Sequence, residues 1–379
     1  MLEILSKYEK AARATFSNTF VNKENVLKYA EKTGLSNDNI AIIAKFMDYA
    51  NEELKQFIWL FYYIQFESEE DFSRDIWQLD QIPMPSDAEE KYPGYIKAVV
   101  YLLAAENLKR WLTERQLPIS MLESYYDRYR YFVSMNRISH DTFGLCRLSP
   151  FLYGYARPFI LRVGRLTFQF RDYLDYSEMY EDNAGNRVFV AMPKYKYDKK
   201  GLQDNNGTAP MYYQDEKEVI GHIFDRDGRI TAEPVELDKR IYKKMLSPGD
   251  NVITIHIPEG GRLDMDEVRA SIKDAAVLFR KYFPPFKAFV CRTWFIDPGL
   301  RGNVIKEGSN MWAFADLFDV ICGPDNRNHS VYEHVFKVKR QPLQNLIPQN
   351  DFQKRVLEHA LRGEKIYWSY GVLKKDIDY

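Results

Sequence analysis

Cysteine is scarce. The three present in 379 residues, Cys146, Cys291 and Cys322, are widely spaced and odd in number, which excludes a disulfide framework and points to a reducing compartment. Long apolar runs are also missing: the longest covers residues 98–105, far short of the roughly 20 residues a spanning helix needs. The first residues, Met1-Leu2-Glu3-Ile4-Leu5-Ser6-Lys7, have neither an apolar stretch nor a small-residue cleavage site, so no secretory leader is expected and a cytoplasmic location follows. There is no excess of one charge. With 53 basic and 54 acidic residues the net charge is −1, and no global field draws in nucleic acid or an anionic membrane. Neither the dinucleotide glycine fingerprint nor the Walker A loop occurs, and no Gly-x-Ser-x-Gly elbow supports serine hydrolysis.

What is abundant is aromatic. Six Trp, 27 Tyr and 24 Phe make 15% of the chain, a large supply for cores or for a ligand cleft. Hydrophobic residues at 45% and charged residues at 28% are the balance of a soluble globular protein, and the length calls for two domains. Residues 1–117 read as helical. Asn22 and Asn25 are caps for a helix over 26–33 that Gly34 stops, Ser36 opens the next over 40–49, and an apolar stripe from Tyr95 to Leu112 traces one long helix. Ser120 caps a further helix to about Met135.

Beyond Pro150 the period shortens towards two. Strands are expected at 159–163 and 166–170 around Gly164-Arg165, and at 187–191. The polar stretch 198–218 reads as an exposed hairpin or insertion. A β-branched strand, 252–257, runs into Pro258-Glu259-Gly260-Gly261-Arg262-Leu263, and a helix opens with Asp264 as cap and Glu267 three residues on. A strand over 287–295, a short helix from Ser309-Asn310, strands at 320–322 and 331–338, a helix over 351–361 and a closing strand over 365–373 complete an α+β chain. Its second domain is expected over residues 118–379. In a strand-like region His329 and His334, five residues apart, point to opposite faces and do not easily share a metal.

A strand feeding a glycine turn at a helix start suits an anion, because Gly260 and Gly261 let N–H groups approach closely and Arg262 adds a guanidinium fork. Glu259, Asp264 and Asp266 set three carboxylates beside the same turn. Alternation puts Thr254 and His256 on one face of the strand and Ile253, Ile255 and Ile257 on the other. His256 is the expected general base, with Asp297 at the end of the neighbouring strand as a second catalytic candidate. Cys291, with no His or Asn partner in view, reads as an inert strand cysteine.

The order strand, glycine loop, helix, strand, then Asn310-x-x-Ala313 resembles the GNAT acyltransferase superfamily. More narrowly, Val163-Gly164-Arg165-Leu166, the stretch 249–261 with His256-Ile257-Pro258, the stretch 289–298 and Ser309-Asn310 resemble the bacterial two-domain N-acyltransferases, with a helical N-terminal domain and a GNAT-like C-terminal domain. The resemblance implies a mixed β-sheet with flanking helices, and acetyl-CoA or another acyl-CoA as cosubstrate. It further implies a small-molecule or peptide amine as acceptor. Gly260, Gly261 and Arg262 would hold the pyrophosphate, the backbone from Ile255 to Ile257 would lie beside pantetheine, and Asn310 would contact pantetheine or the loop. Many such enzymes carry a tyrosine after that asparagine to protonate the leaving thiolate; Leu317-Phe318 occupy the region here and offer no hydroxyl. The alternative expectation is therefore a catalytically silent GNAT-like protein that binds a ligand or a partner.

Overall fold

The computed structural model describes residues 2–145, 149–174 and 176–375, and Cys146 lies outside them. Two compact units meet between Arg162 and Val163. Residues 118–162, expected with the second domain, pack within the first unit.

The first unit is built from α1 (Leu2–Thr15), α2 (Lys23–Lys32), α3 (Asn37–Tyr49), α4 (Glu52–Phe66), α5 (Ser86–Lys91), α6 (Tyr95–Leu103), α7 (Ala105–Glu114), α8 (Leu122–His140) and α9 (Phe151–Ala156). Its helix starts follow local chemistry: the side chains of Asn22, Ser36 and Asn51 each accept a backbone N–H of the first turn. Ser120 is not a cap, since a 3-10 turn over Ile119–Met121 precedes α8. The single helix expected from Tyr95 to Leu112 is broken at Ala104, where Asn107 N–H turns back to the Ala104 carbonyl three residues away. That break lets the Asn107 amide donate to Ala156 O at 2.6 Å. Tyr129 Oη reaches Ala98 O at 2.9 Å and Tyr125 Oη bonds Tyr101 O, so these two tyrosines satisfy buried carbonyls between helices.

The second unit carries β1 (Ile160–Val163) across its boundary, then β2 (Leu166–Asp172), β3 (Ser177–Glu181), β4 (Arg187–Ala191), β5 (Tyr212–Gln214), β6 (Glu218–Gly221), β7 (Val235–Asp238), β8 (Lys243–Leu246), β9 (Asn251–His256), α10 (Met265–Tyr282), β10 (Ala288–Thr293), α11 (Asn310–Ala315), β11 (Phe318–Ile321), α12 (Asp351–Leu361) and β12 (Ser369–Leu373). The main sheet has the order β1-β2-β9-β10-β12-β11; β9 and β10 pair in parallel, while β2–β9, β10–β12 and β11–β12 are antiparallel. One face packs on α10 through Phe168, Phe279 and Phe289. The opposite face buries Val252, Val290 and Val372 against Met179, Phe189 and Leu246 of the small β4-β3-β8 sheet.

The expected strand over 331–338 is instead a π-helical turn, Val331–Phe336, closed by Lys337 at φ 55°. The reason is spacing: Val331, Tyr332, Val335 and Phe336 all pack on the cluster around α12, a repeat of about one helical turn and not of two residues. His329 and His334 therefore do not diverge as they would on a strand; their rings lie 6.4 Å apart beside Trp368. No group of His, Cys, Asp or Glu among the described residues has the geometry to hold a metal. Nor is any helix among them long and apolar enough to cross a membrane.

Candidate active site

The site centres on the point where two parallel strands part. The last rung between β9 and β10 joins Ile255 to Cys291, yet β10 continues beside β12 to the Thr293–Ser369 rung. Beyond Ile255 the strand continues its pairing on the β2 side, where Thr167 faces His256. A parallel pair that separates leaves backbone N–H and C=O groups along the gap, the donors and acceptors an extended amide chain can use.

The glycine loop that follows is shaped from below by Arg165. Its guanidinium donates to the carbonyls of Arg262 at 2.9 Å, Pro258 at 3.0 Å and Gly261 at 3.4 Å. With those carbonyls turned to one cation, the loop amides are left to face elsewhere, and no acceptor among the described residues takes the N–H of Gly260, Gly261 or Arg262. Gly260 and Gly261 sit at φ 84° and 69°, a region an L side chain rarely adopts, and nothing crowds the space where a Cβ would stand. Arg165 is itself fixed by the β1–β2 turn: its N–H donates to Ser271 Oγ at 2.8 Å, and a Cβ on Gly164 would meet that oxygen at 2.5 Å.

The start of α10 contributes less than the sequence suggests. Asp264 already accepts the N–H groups of Asp266 and Glu267, so part of the helix terminus is satisfied by its own carboxylate. Glu259, on the other hand, does not confront an incoming anion alone, because Lys337 Nζ lies 2.8 Å from its carboxylate. Asn310 is exposed in the first turn of α11, which Ser309 caps.

His256 is half-buried at the end of β9, with Nε2 2.9 Å from Gln169 Oε1. Gln169 and Thr254 form the adjacent rung and are buried, so this end of the face is polar. The contact with Gln169 fixes the orientation of the imidazole ring at the end of the strand. Asp297 is elsewhere in its chemistry. It is 1% exposed and its two oxygens accept the N–H groups of Gly299 and Tyr367, at 2.9 and 2.7 Å. Burial pushes its pKa up to about 6, the two amides opposing the shift. It anchors a turn and is closed to a substrate. The Cys291 thiol is buried as well and its pKa is pushed up, which removes thiolate character.

Gln169 and the Arg165 brace were missed as site residues by sequence reasoning. Gln169 carried one available signal, a large polar residue on the inward alternation of a strand; Arg165 carried none that separates it from any turn arginine.

The family model for the GNAT-like C-terminal domain matches residues 160–373. The chain belongs to that family. Across the solved structures, this GNAT-like chain is similar to a tryptophan-to-alanine mutant of the acyltransferase orf11* in complex with octanoyl-CoA, at 15% identity and a TM-score of 0.59, over 93% of this chain and 88% of that one. It is similar to an acyltransferase in complex with decanoyl-CoA at 16% identity and a TM-score of 0.58, with the same coverage. A third, an acyltransferase in complex with decanoyl-CoA and teicoplanin, has 15% identity and a TM-score of 0.55, over 93% and 99% of the two chains. At these identities the likeness is one of fold. Curated protein sequences offer no match.

Proposed function

We propose that this GNAT-like protein is an N-acyltransferase that moves an acyl group from acyl-CoA to an amine. The observation that carries the reading is the parting of β9 from β10 directly before a glycine loop whose carbonyls are held back by Arg165. In this reading pantetheine runs along the backbone from Ile255 to Ile257, and the loop amides with Gly260, Gly261 and Arg262 take the pyrophosphate. Asn310 contacts pantetheine from the start of α11. The acyl-CoA complexes of the fold neighbours support the choice of donor, and the teicoplanin complex supports a large amine-bearing acceptor.

In the reaction the amine nitrogen attacks the thioester carbonyl, a C–N bond forms, the C–S bond breaks and CoA leaves as thiolate. His256 accepts the amine proton, oriented by Gln169, and Asp297 serves by holding the turn after β10. Titration calorimetry with octanoyl-CoA is the test: saturable binding that Gly260→Val abolishes is expected, and no heat at millimolar ligand rejects the reading.

A second reading, a silent acyl-CoA-binding protein, is favoured by Leu317 and Phe318, both buried where a hydroxyl would be needed to protonate the thiolate. Amine-dependent CoA release that is lost in His256→Ala would exclude it.

A further inference from the structure

The polar end of the sheet continues past His256 onto β10 and β12. Arg292 follows Cys291 as His256 follows Ile255, so the two side chains flank the parting of the strands on one face. Tyr370 stands directly opposite Arg292 on β12, hence on the same face and adjacent to it. Arg171, on β2, belongs to that face too, through its rung with Val252. It lies within electrostatic reach of both Tyr370 and Arg292.

These three groups have something in common: their polar atoms are unspent. Neither guanidinium makes an ion pair or hydrogen bond among the described residues. Arg171 is half-buried, and burial is the largest influence lowering its pKa; Tyr370 partly offsets this, and Arg292 adds like-charge repulsion. The Tyr370 side chain is 2% exposed, and its hydroxyl has no hydrogen-bond partner. The Leu174 amide lies close without completing a bond, and as a donor it could not receive the hydroxyl proton in any case. A buried hydroxyl and a half-buried guanidinium left unpaired weigh against the fold unless an anion arrives to satisfy them, and the exposed guanidinium of Arg292 is within reach of the same anion.

We infer that Arg171, Arg292 and Tyr370 form a carboxylate site for the acceptor, which is therefore an amine that also carries an acidic group. The inference rests on the acyl-transfer reading for the word acceptor, while the anion site stands on its own residues. Bidentate guanidinium donors and an O–H suit a carboxylate. The rings of Tyr173 and Tyr176, 5.4 and 6.2 Å from that of Tyr370, give the site an aromatic wall.

The experiment compares benzoate with the isosteric, uncharged benzamide on the full chain by calorimetry, with and without saturating octanoyl-CoA. Benzoate is expected to bind at least about tenfold more tightly than benzamide, one charge-assisted bond being worth about that much. The preference should disappear in Arg292→Gln, a surface change that leaves the core intact, and weaken in Tyr370→Phe. Equal binding of the two probes, or a preference unchanged in Arg292→Gln, overturns the site. Benzoate that still binds with octanoyl-CoA present supports the acceptor assignment; benzoate displaced by it assigns the anion to the acyl donor and overturns that assignment. Should octanoyl-CoA itself not bind, the transferase reading fails, and benzoate against benzamide still decides the anion site.

Discussion

The two faces of the main sheet use the same strands for opposite purposes. Under α10, Phe168, Phe279, Phe289 and Ile253 form a dry aromatic layer with no polar atom to satisfy. On the other face, apolar Val252, Val290 and Val372 give way at one end to Thr254, Gln169, His256, Arg292 and Tyr370. A side-chain period of two makes this possible, because each strand can commit alternate residues to packing and to chemistry. The lesson is that the site is supported by the layer behind it, and damage to the two faces should read out differently.

The largest effect is expected behind the site. Phe168→Ala removes a fully buried ring and should cost about 3–5 kcal/mol in denaturant unfolding, with acyl-CoA binding lost only in proportion to the unfolded fraction. Next comes Asp297. Its pKa is raised in the folded state, from the ordinary 3.8 to about 6, so its protonated form is favoured by folding. Stability from this residue is fully present below the ordinary value and is lost as pH rises through about 6, a change of roughly 3 kcal/mol. Unfolding curves between pH 4 and 7 should show that loss in the native protein and not in Asp297→Asn.

On the polar face, Gln169→Met keeps volume but removes the partner of His256. Stability should hold within about 1 kcal/mol while kcat falls about tenfold and the pH profile of transfer moves, with KM for acyl-CoA unchanged. If KM alone rises, Gln169 is a binding residue and not a partner of the base. Arg165→Ala should weaken acyl-CoA binding about tenfold by releasing the loop carbonyls, with kcat little altered. The smallest effect belongs to Lys337→Ala, an exposed partner of Glu259: a loss of about twofold in acyl-CoA affinity at low salt that vanishes in 1 M salt.

Local chemistry was legible wherever one residue acts on its near neighbours. The caps at Asn22, Ser36 and Asp264, the strand before the glycine loop and helix α12 all follow from spacings within a few residues. The π-helical turn at Val331–Phe336 was misread as strand because its apolar spacing has meaning only against α12. The break at Ala104 escaped notice since the stripe from Tyr95 to Leu112 carries on across it. In the site, His256 and the glycine loop could be named from the chain, whereas the closure of Asp297 could not, because one of its partners, Tyr367, lies 70 residues away.

What the amino-acid order settles here is therefore short-range: helix starts, alternation along strands, and a turn that only glycine tolerates at positive φ. Which residues meet was decided by register between strands distant in sequence. Thr167 is brought to His256 and Tyr370 to Arg292 by hydrogen-bonded rungs, and a slip of one residue would turn each of these side chains to the opposite face. The polar stripe and the unpaired arginines exist only in that register, because burial and partnership belong to the packed sheet and to no single segment.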